Sequence, residues 1–171
     1  MSEQTRFYGK YRGMVFNNID PMQTGRIQVQ VPDVLGPGMT SWAMPCVPFA
    51  GKQSGVFVLP QIGDGVWVEF EQGDIDYPIW VGGFWGSTAE VPALALTGLP
   101  VSPSIVLQTS GQNTLMLSDL PGPAGGILLK STTGAMISIN EIGITISNGQ
   151  GATITLNGPA INFNQGALTV I

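Results

Sequence analysis

Five carboxylates fall close together in the chain, at Asp64, Glu69, Glu71, Asp74 and Asp76. Oxygen donors at that density are what a calcium ion takes as ligands, and a carboxylate pair is what glycoside hydrolysis uses as acid and base. The residues around them favour a structural role. Val66-Trp67-Val68-Glu69-Phe70-Glu71 alternates apolar with polar, so on a strand Glu69 and Glu71 share the solvent face. Gln72-Gly73-Asp74-Ile75-Asp76 reads as a tight turn, in which Asp side chains cap backbone N–H groups.

Other chemistry is sparse. The chain has no histidine, which removes Ser-His and Cys-His nucleophile pairs and every His-containing zinc site. Cys46, between Pro45 and Val47, is expected to be a small buried hydrophobe rather than a nucleophile. As the only cysteine it has no partner for an intramolecular disulfide, as expected of a chain that folds in a reducing cytosol. Trp42, Trp67, Trp80 and Trp85 invite comparison with a stacking platform for bases or sugars. With no basic residue but Lys52 between them, core or interface packing is the favoured role. Gly63 and Gly82-Gly83 lack the helix and lysine that a phosphate loop needs. No catalytic, metal or cofactor site is expected, and an enzyme has no candidate constellation.

The elements that carry these residues are strands. Charged residues are only 10% of the 171, against about 25% in a typical soluble domain, which suggests surface covered by other protein. Twenty-four glycines and 13 prolines oppose long helices. The net charge is −5 without a basic run, so no nucleic-acid partner is expected. Residues 1–10 lack the apolar stretch of a signal peptide, and no apolar run approaches the ~20 residues of a membrane span.

Composition changes at a proline-rich joint. Residues 1–99 carry five Lys/Arg and nine Asp/Glu, whereas residues 100–171 carry only Lys130, Asp119 and Glu141. Pro92, Pro100 and Pro103 mark residues 91–104 as a linker, although Ala93 to Leu96 alone reads as a helical turn. In residues 1–90, strands are expected over Tyr8 to Asn17, Gly25 to Val31, Gly55 to Leu59, Val66 to Glu71 and Pro78 to Trp85. Thr40 to Phe49, interrupted by Pro45 and Pro48, is expected to be an edge strand or irregular. Five or six short strands in this length suggest a small closed barrel of the OB type.

Residues 105–171 repeat one motif, two apolar residues separated by a single residue. The pairs are Ile105/Leu107, Leu115/Leu117, Ile127/Leu129, Ile137/Ile139, Ile144/Ile146, Ile154/Leu156, Ile161/Phe163 and Leu168/Val170. Gly, Asn, Ser, Thr and Gln fill the intervals, as in a β-solenoid or β-prism of very short strands. One such chain has little to pack its apolar face against. Three copies around an axis would bring each inward Ile or Leu against its symmetry mates, with strand edges pairing to the next chain. Single-chain solenoids normally repeat at ~20 residues or more, and a β-sandwich needs strands nearer five to six residues. The expected second unit is therefore an intertwined trimeric β-helix with its core at Ile127, Leu129, Ile137, Ile139, Ile144, Ile146, Ile154, Leu156, Ile161 and Phe163.

From Pro60 to Gly83 the chain resembles the OB-fold domain of phage baseplate spike proteins. That domain is shared by the VgrG proteins of type VI secretion and by the spikes of extracellular contractile injection systems. The resemblance rests on Gly63-Asp64, the alternating strand ending in Glu, the turn Gly73-Asp74-Ile75-Asp76-Tyr77-Pro78 and the closing Gly82-Gly83. Tyr11-Arg12-Gly13-Met14-Val15 and Thr24-Gly25-Arg26-Ile27-Gln28-Val29-Gln30-Val31-Pro32 add to it. It covers residues 8–87 by motif and the remainder by architecture only. It implies a non-enzymatic homotrimer, assembled in the cytoplasm, with a hub protein above the barrels, a PAAR-type protein on the tip and a target membrane met on firing. Residues 91–104 leave no room for the muramidase domain of some phage spikes, and the absence of histidine excludes a His-x-His iron site at the apex. The apolar end Ala167-Leu168-Thr169-Val170-Ile171 is expected to meet a separate cap protein. The competing reading is an OB module that grips an oligosaccharide or single strand, with a trimerising stalk behind it.

Overall fold

The computed structural model describes residues 5–97, 102 and 104–170; the side chains of Thr169 and Val170 are left aside. The chain divides into two compact units, Met1–Thr88 and Ala89–Ile171.

In the first unit, alternation sets the strands. β1 (Tyr11–Asn17), β2 (Ile27–Gln30) and β3 (Ser41–Pro45) are followed by the two-residue strands β4 (Ala50–Gly51) and β5 (Ser54–Gly55). β6 (Gly65–Phe70) and β7 (Pro78–Phe84) complete the set. β1, β2, β3, β7 and β6 close in that order into a barrel, every neighbouring pair antiparallel except the parallel β3–β7 contact. Inward positions supply a core of Val15, Ile27, Val29, Val31, Ala43, Val66, Val68, Phe70 and Trp80. One turn of helix, α1 (Pro32–Leu35), starts at the proline that ends β2, and its Val34 and Leu35 pack against that core.

Three expectations need correction. Ser41–Pro45 is neither an edge nor irregular: it lies between β2 and β7, and closure of the barrel leaves it no free side. Pro45 is tolerated because it is the last residue of the strand, and the Cys46 N–H takes up the pairing with Trp80 O at 2.9 Å. Val56 to Leu59 is not a strand; only Ser54–Gly55 pairs, with Ala50–Gly51, in a small separate hairpin. Cys46 is exposed, because the alternation that buries Ala43 turns Met44 and Cys46 outward.

In the second unit the segment Ala93–Leu96 forms a short 3-10 helix beside the first strand of the sheet. Residues 98–101 and 103 of the proline-rich joint lie outside the described residues. The rest is a single antiparallel meander of β8 (Ile105–Gln108), β9 (Thr114–Ser118), β10 (Gly126–Lys130), β11 (Met136–Asn140), β12 (Gly143–Ser147), β13 (Thr153–Asn157), β14 (Ala160–Phe163) and β15 (Leu168–Val170). Each strand hydrogen-bonds to the one before it, so at strand spacing the stack extends over about 34 Å. For β9 to β14 this replaces the expected pairing of strand edges with a neighbouring chain, because both edges of each are taken within the chain. The ladder bonds are made within one chain, because turns of two to seven residues return each strand against its predecessor.

Tight returns demand particular backbone. Gly143, at the start of β12, has φ +150, and a Cβ there would stand 1.9 Å from the carbonyl oxygen of Leu156 on β13. Only glycine allows that approach.

Candidate functional site

The eight apolar pairs occupy eight successive strands, and their registers join them into two unbroken rows. One row runs Leu107, Leu115, Leu129, Ile137, Ile146, Ile154, Phe163, Leu168. The other runs Ile105, Leu117, Ile127, Ile139, Ile144, Leu156, Ile161, Val170. Period-two alternation holds both rows on one face of the sheet. The opposite face carries a central row that changes character along its length, Val106, Met116, Leu128, then Ser138, Thr145, Thr155, Asn162, Thr169.

Within one chain the paired rows are uncovered. Ile105 and Leu107 are 64% and 65% exposed, and Leu129 and Ile146 remain 46% and 42% exposed deep in the stack. Ile127, Ile137, Ile139, Leu156, Ile161 and Phe163 are exposed as well, while Ile144 and Ile154 are half-buried by their strand neighbours. An apolar face this long exceeds what monomeric soluble proteins leave in water. Of the end residues, Ala167 and Leu168 are exposed and β15 pairs with β14, while Ile171 lies outside the described residues.

In the barrel the five carboxylates are dispersed. Gly63 and Asp64 form the turn before β6: the Gly63 N–H donates to Val15 O at 2.8 Å, and Asp64 accepts from the Gln61 N–H at 2.7 Å. Glu69 is paired with Lys10. Glu71 lies beyond the end of β6, in a 3-10 turn with Gly73, which corrects its expected place on the strand. Asp74 accepts from the Asp76 N–H at 3.2 Å and from Arg6 at 3.4 Å. Asp76 is exposed, and Pro78 is fully buried where β7 begins. Gly73 is a point of close approach: at φ +76, a Cβ would come within about 3 Å of Phe7 N, Arg6 Cβ and the Tyr8 ring. Among the described residues, no three Cys, Asp or Glu side chains gather as a metal site. No described helix is long and apolar enough to cross a membrane.

The tryptophans separate. Trp80 is buried and its indole N–H donates to Gly25 O at 3.2 Å, whereas Trp85 is exposed. Trp67 meets Phe84 at 4.9 Å between ring centroids, and the Arg12 guanidinium lies 5.1 Å and 4.9 Å above the two rings. Arg26 stacks 5.3 Å from Trp42. Basic groups thus do meet two of the four indoles, contrary to expectation; they arrive from β1 and from the residue before β2, and were invisible as sequence neighbours.

One polar cluster escaped the sequence reading. Asp20 is buried and receives the Arg26 Nε and a terminal nitrogen, the Thr24 hydroxyl and the N–H groups of Met22, Thr24 and Arg26. Arg26, followed by the N–H donors, holds this carboxyl far below the usual carboxylate range, against the opposing effect of burial. The turn Asn18-Ile19-Asp20-Pro21 was the signal available.

Residues 11–85 match the family model described as the type VI secretion system/phage-baseplate injector OB domain. Residues 104–169 match the phage baseplate V C-terminal trimerisation domain. No curated protein matches the chain. An injector OB barrel joined to a trimerisation domain defines a structural baseplate protein of the all-β class. The chain belongs to the phage baseplate V family of spike-like proteins.

Proposed function

We propose that this chain is the homotrimeric central spike of a contractile injection baseplate, assembled in the cytoplasm and driven through a target envelope when the sheath contracts. In this reading residues 1–90 form the barrel domain, residues 91–104 the joint and residues 105–171 the needle. The observation that carries it is the pair of apolar rows on one sheet face, most of whose described positions are exposed, beside a match to a trimerisation domain. Around a threefold axis the rows from three chains would form one core, and the Ser, Thr and Asn of the central row on the other face would meet solvent. A hub protein above the barrels and a PAAR-type protein at Ala167, Leu168, Thr169, Val170 and Ile171 complete the assembly we infer. A surface poor in charge also limits the cost of entering lipid, where each charge is expensive.

Light scattering on the full chain tests this directly. A trimer has a mass of about 54 kDa, three times the 18.0 kDa chain. Loss of that mass in a chain truncated near Ala93 supports the needle as the trimerising segment, and a stable full-length monomer removes the physical basis of the proposal.

A second reading has one observation in its favour, the Arg12 guanidinium stacked over Trp67 and Phe84. Such a surface suits the base or sugar ring that an OB module binds. Saturable binding of oligonucleotides or oligosaccharides to residues 1–90, lost in Arg12→Ala, would favour it.

A further inference from the structure

Two Asn-Gly pairs stand in the turns of the second unit, Asn148-Gly149 and Asn157-Gly158. Glycine after asparagine leaves the following backbone nitrogen unhindered, so it can reach the asparagine Cγ and close a five-membered ring. The two sites are held very differently. At the first, Asn148 Oδ1 accepts from the N–H groups of Gln150 and Ala152 at 2.9 and 3.0 Å. The nitrogen that would attack, Gly149 N, donates to Ser147 Oγ at 3.1 Å. The Asn148 N–H is also tied, to Ala152 O at 3.1 Å.

At the second site nothing comparable restrains the reacting groups. Asn157 ends β13 and faces Ala160 across a two-residue turn, with Asn157, Gly158 and Pro159 all exposed. Among the described residues, neither the Asn157 side-chain amide nor the Gly158 N–H has a hydrogen-bond partner. Gly158 has φ +55, and no atom stands within 4 Å of where its Cβ would be, so the turn has room to rotate.

We propose that Asn157-Gly158 is a spontaneous deamidation site of the folded protein and that Asn148-Gly149 is protected by its hydrogen bonds. Gly158 N attacks Asn157 Cγ and forms the new carbon–nitrogen bond. The bond from Cγ to Nδ2 breaks, and the amide leaves as ammonia with the proton lost by Gly158. Water then opens the ring at either carbonyl, giving an aspartyl or an isoaspartyl residue. No enzyme or oxidant is required. Residues 100–171 carry one Lys and two acidic residues, so each event moves the summed charge of those residues from −1 to −2. The isoaspartyl product also adds a backbone carbon beside Leu156, a member of the apolar rows.

The test is peptide mapping by mass spectrometry on the purified full-length chain, held folded at mildly alkaline pH, with the same chain in guanidinium chloride as reference. In the unfolded reference both sites react at similar rates. In the folded chain the peptide with Asn157 gains the mass of an amide-to-acid exchange and yields aspartyl and isoaspartyl forms, and Asn157→Gln removes this signal. Asn148 lags by on the order of tenfold to a hundredfold, the factor expected from two or three hydrogen bonds that must break first. An Asn148 that keeps pace in the folded chain overturns the proposal, as does an Asn157 slowed by folding as strongly as Asn148.

Discussion

Arg26 places both Nε, at 3.1 Å, and a terminal nitrogen, at 2.8 Å, on the same carboxylate oxygen of Asp20. The other oxygen is taken by Thr24 and by the Arg26 N–H, so one buried side chain ties the beginning of the β1–β2 connection to its end, just before β2. The face of that guanidinium lies on Trp42 of β3, which extends the link to a third strand.

This carboxyl gives the barrel an acid sensitivity of known sign. Its folded-state pKa is depressed, so its contribution is complete above the unfolded value of about 3.9 and is lost as pH falls below it. Thermal melts recorded between neutral pH and pH 3 should show stability dropping in the acid range. Asp20→Asn should be less stable at neutral pH by several degrees and should flatten that acid drop. A variant with an unchanged acid slope would mean that other carboxylates dominate it.

Charge placed on the two faces of the sheet should have opposite outcomes. Ile139→Asp or Ile146→Asp introduces one carboxylate per chain into the apolar rows, where each unpaired ion costs several kcal/mol to desolvate. The expected product in light scattering is monomer or aggregate. Thr145→Asp lies one residue away on the other face and should leave the assembled mass unchanged. Equal behaviour of the two classes would contradict the assigned face.

Gly143→Ala should weaken the sheet without touching the apolar rows. The new methyl meets the Leu156 carbonyl, and strain at such a glycine-only backbone costs about 1–3 kcal/mol per chain. The check is an earlier thermal transition of the second unit with the barrel transition unmoved.

Trp80→Phe keeps an aromatic ring in the core and removes one donor. Gly25 O then loses its partner at a buried position, a loss of about 1–3 kcal/mol. Denaturant melts followed by the remaining tryptophans should register it in the barrel transition.

Legibility followed the range of the interactions. The pairs from Ile105/Leu107 to Leu168/Val170 name eight strands because period-two alternation is local, and polar turns separate each pair from the next. The turns Gly63-Asp64 and Gly73 to Pro78 were readable for the same reason. Closure of the barrel was legible as a class but not strand by strand. The parallel pairing of Met44 with Ile79 joins residues far apart in sequence, so nothing local offset Pro45 and Pro48, which made Thr40 to Phe49 read as an edge or irregular. Cys46 was misread because Pro45 and Pro48 obscure which phase of the alternation it occupies. Arg12 over Trp67 depends on cross-strand register, which no local pattern contains.

The in-chain meander makes the second unit a column of rungs, each strand lying across the direction in which the next is stacked. Compression along that direction drives backbone against backbone, where hard-core repulsion rises steeply and every rung shares the load in series. Tension meets only the few hydrogen bonds of the weakest rung, which give way strand by strand. Such a column tolerates thrust along its stacking direction far better than traction.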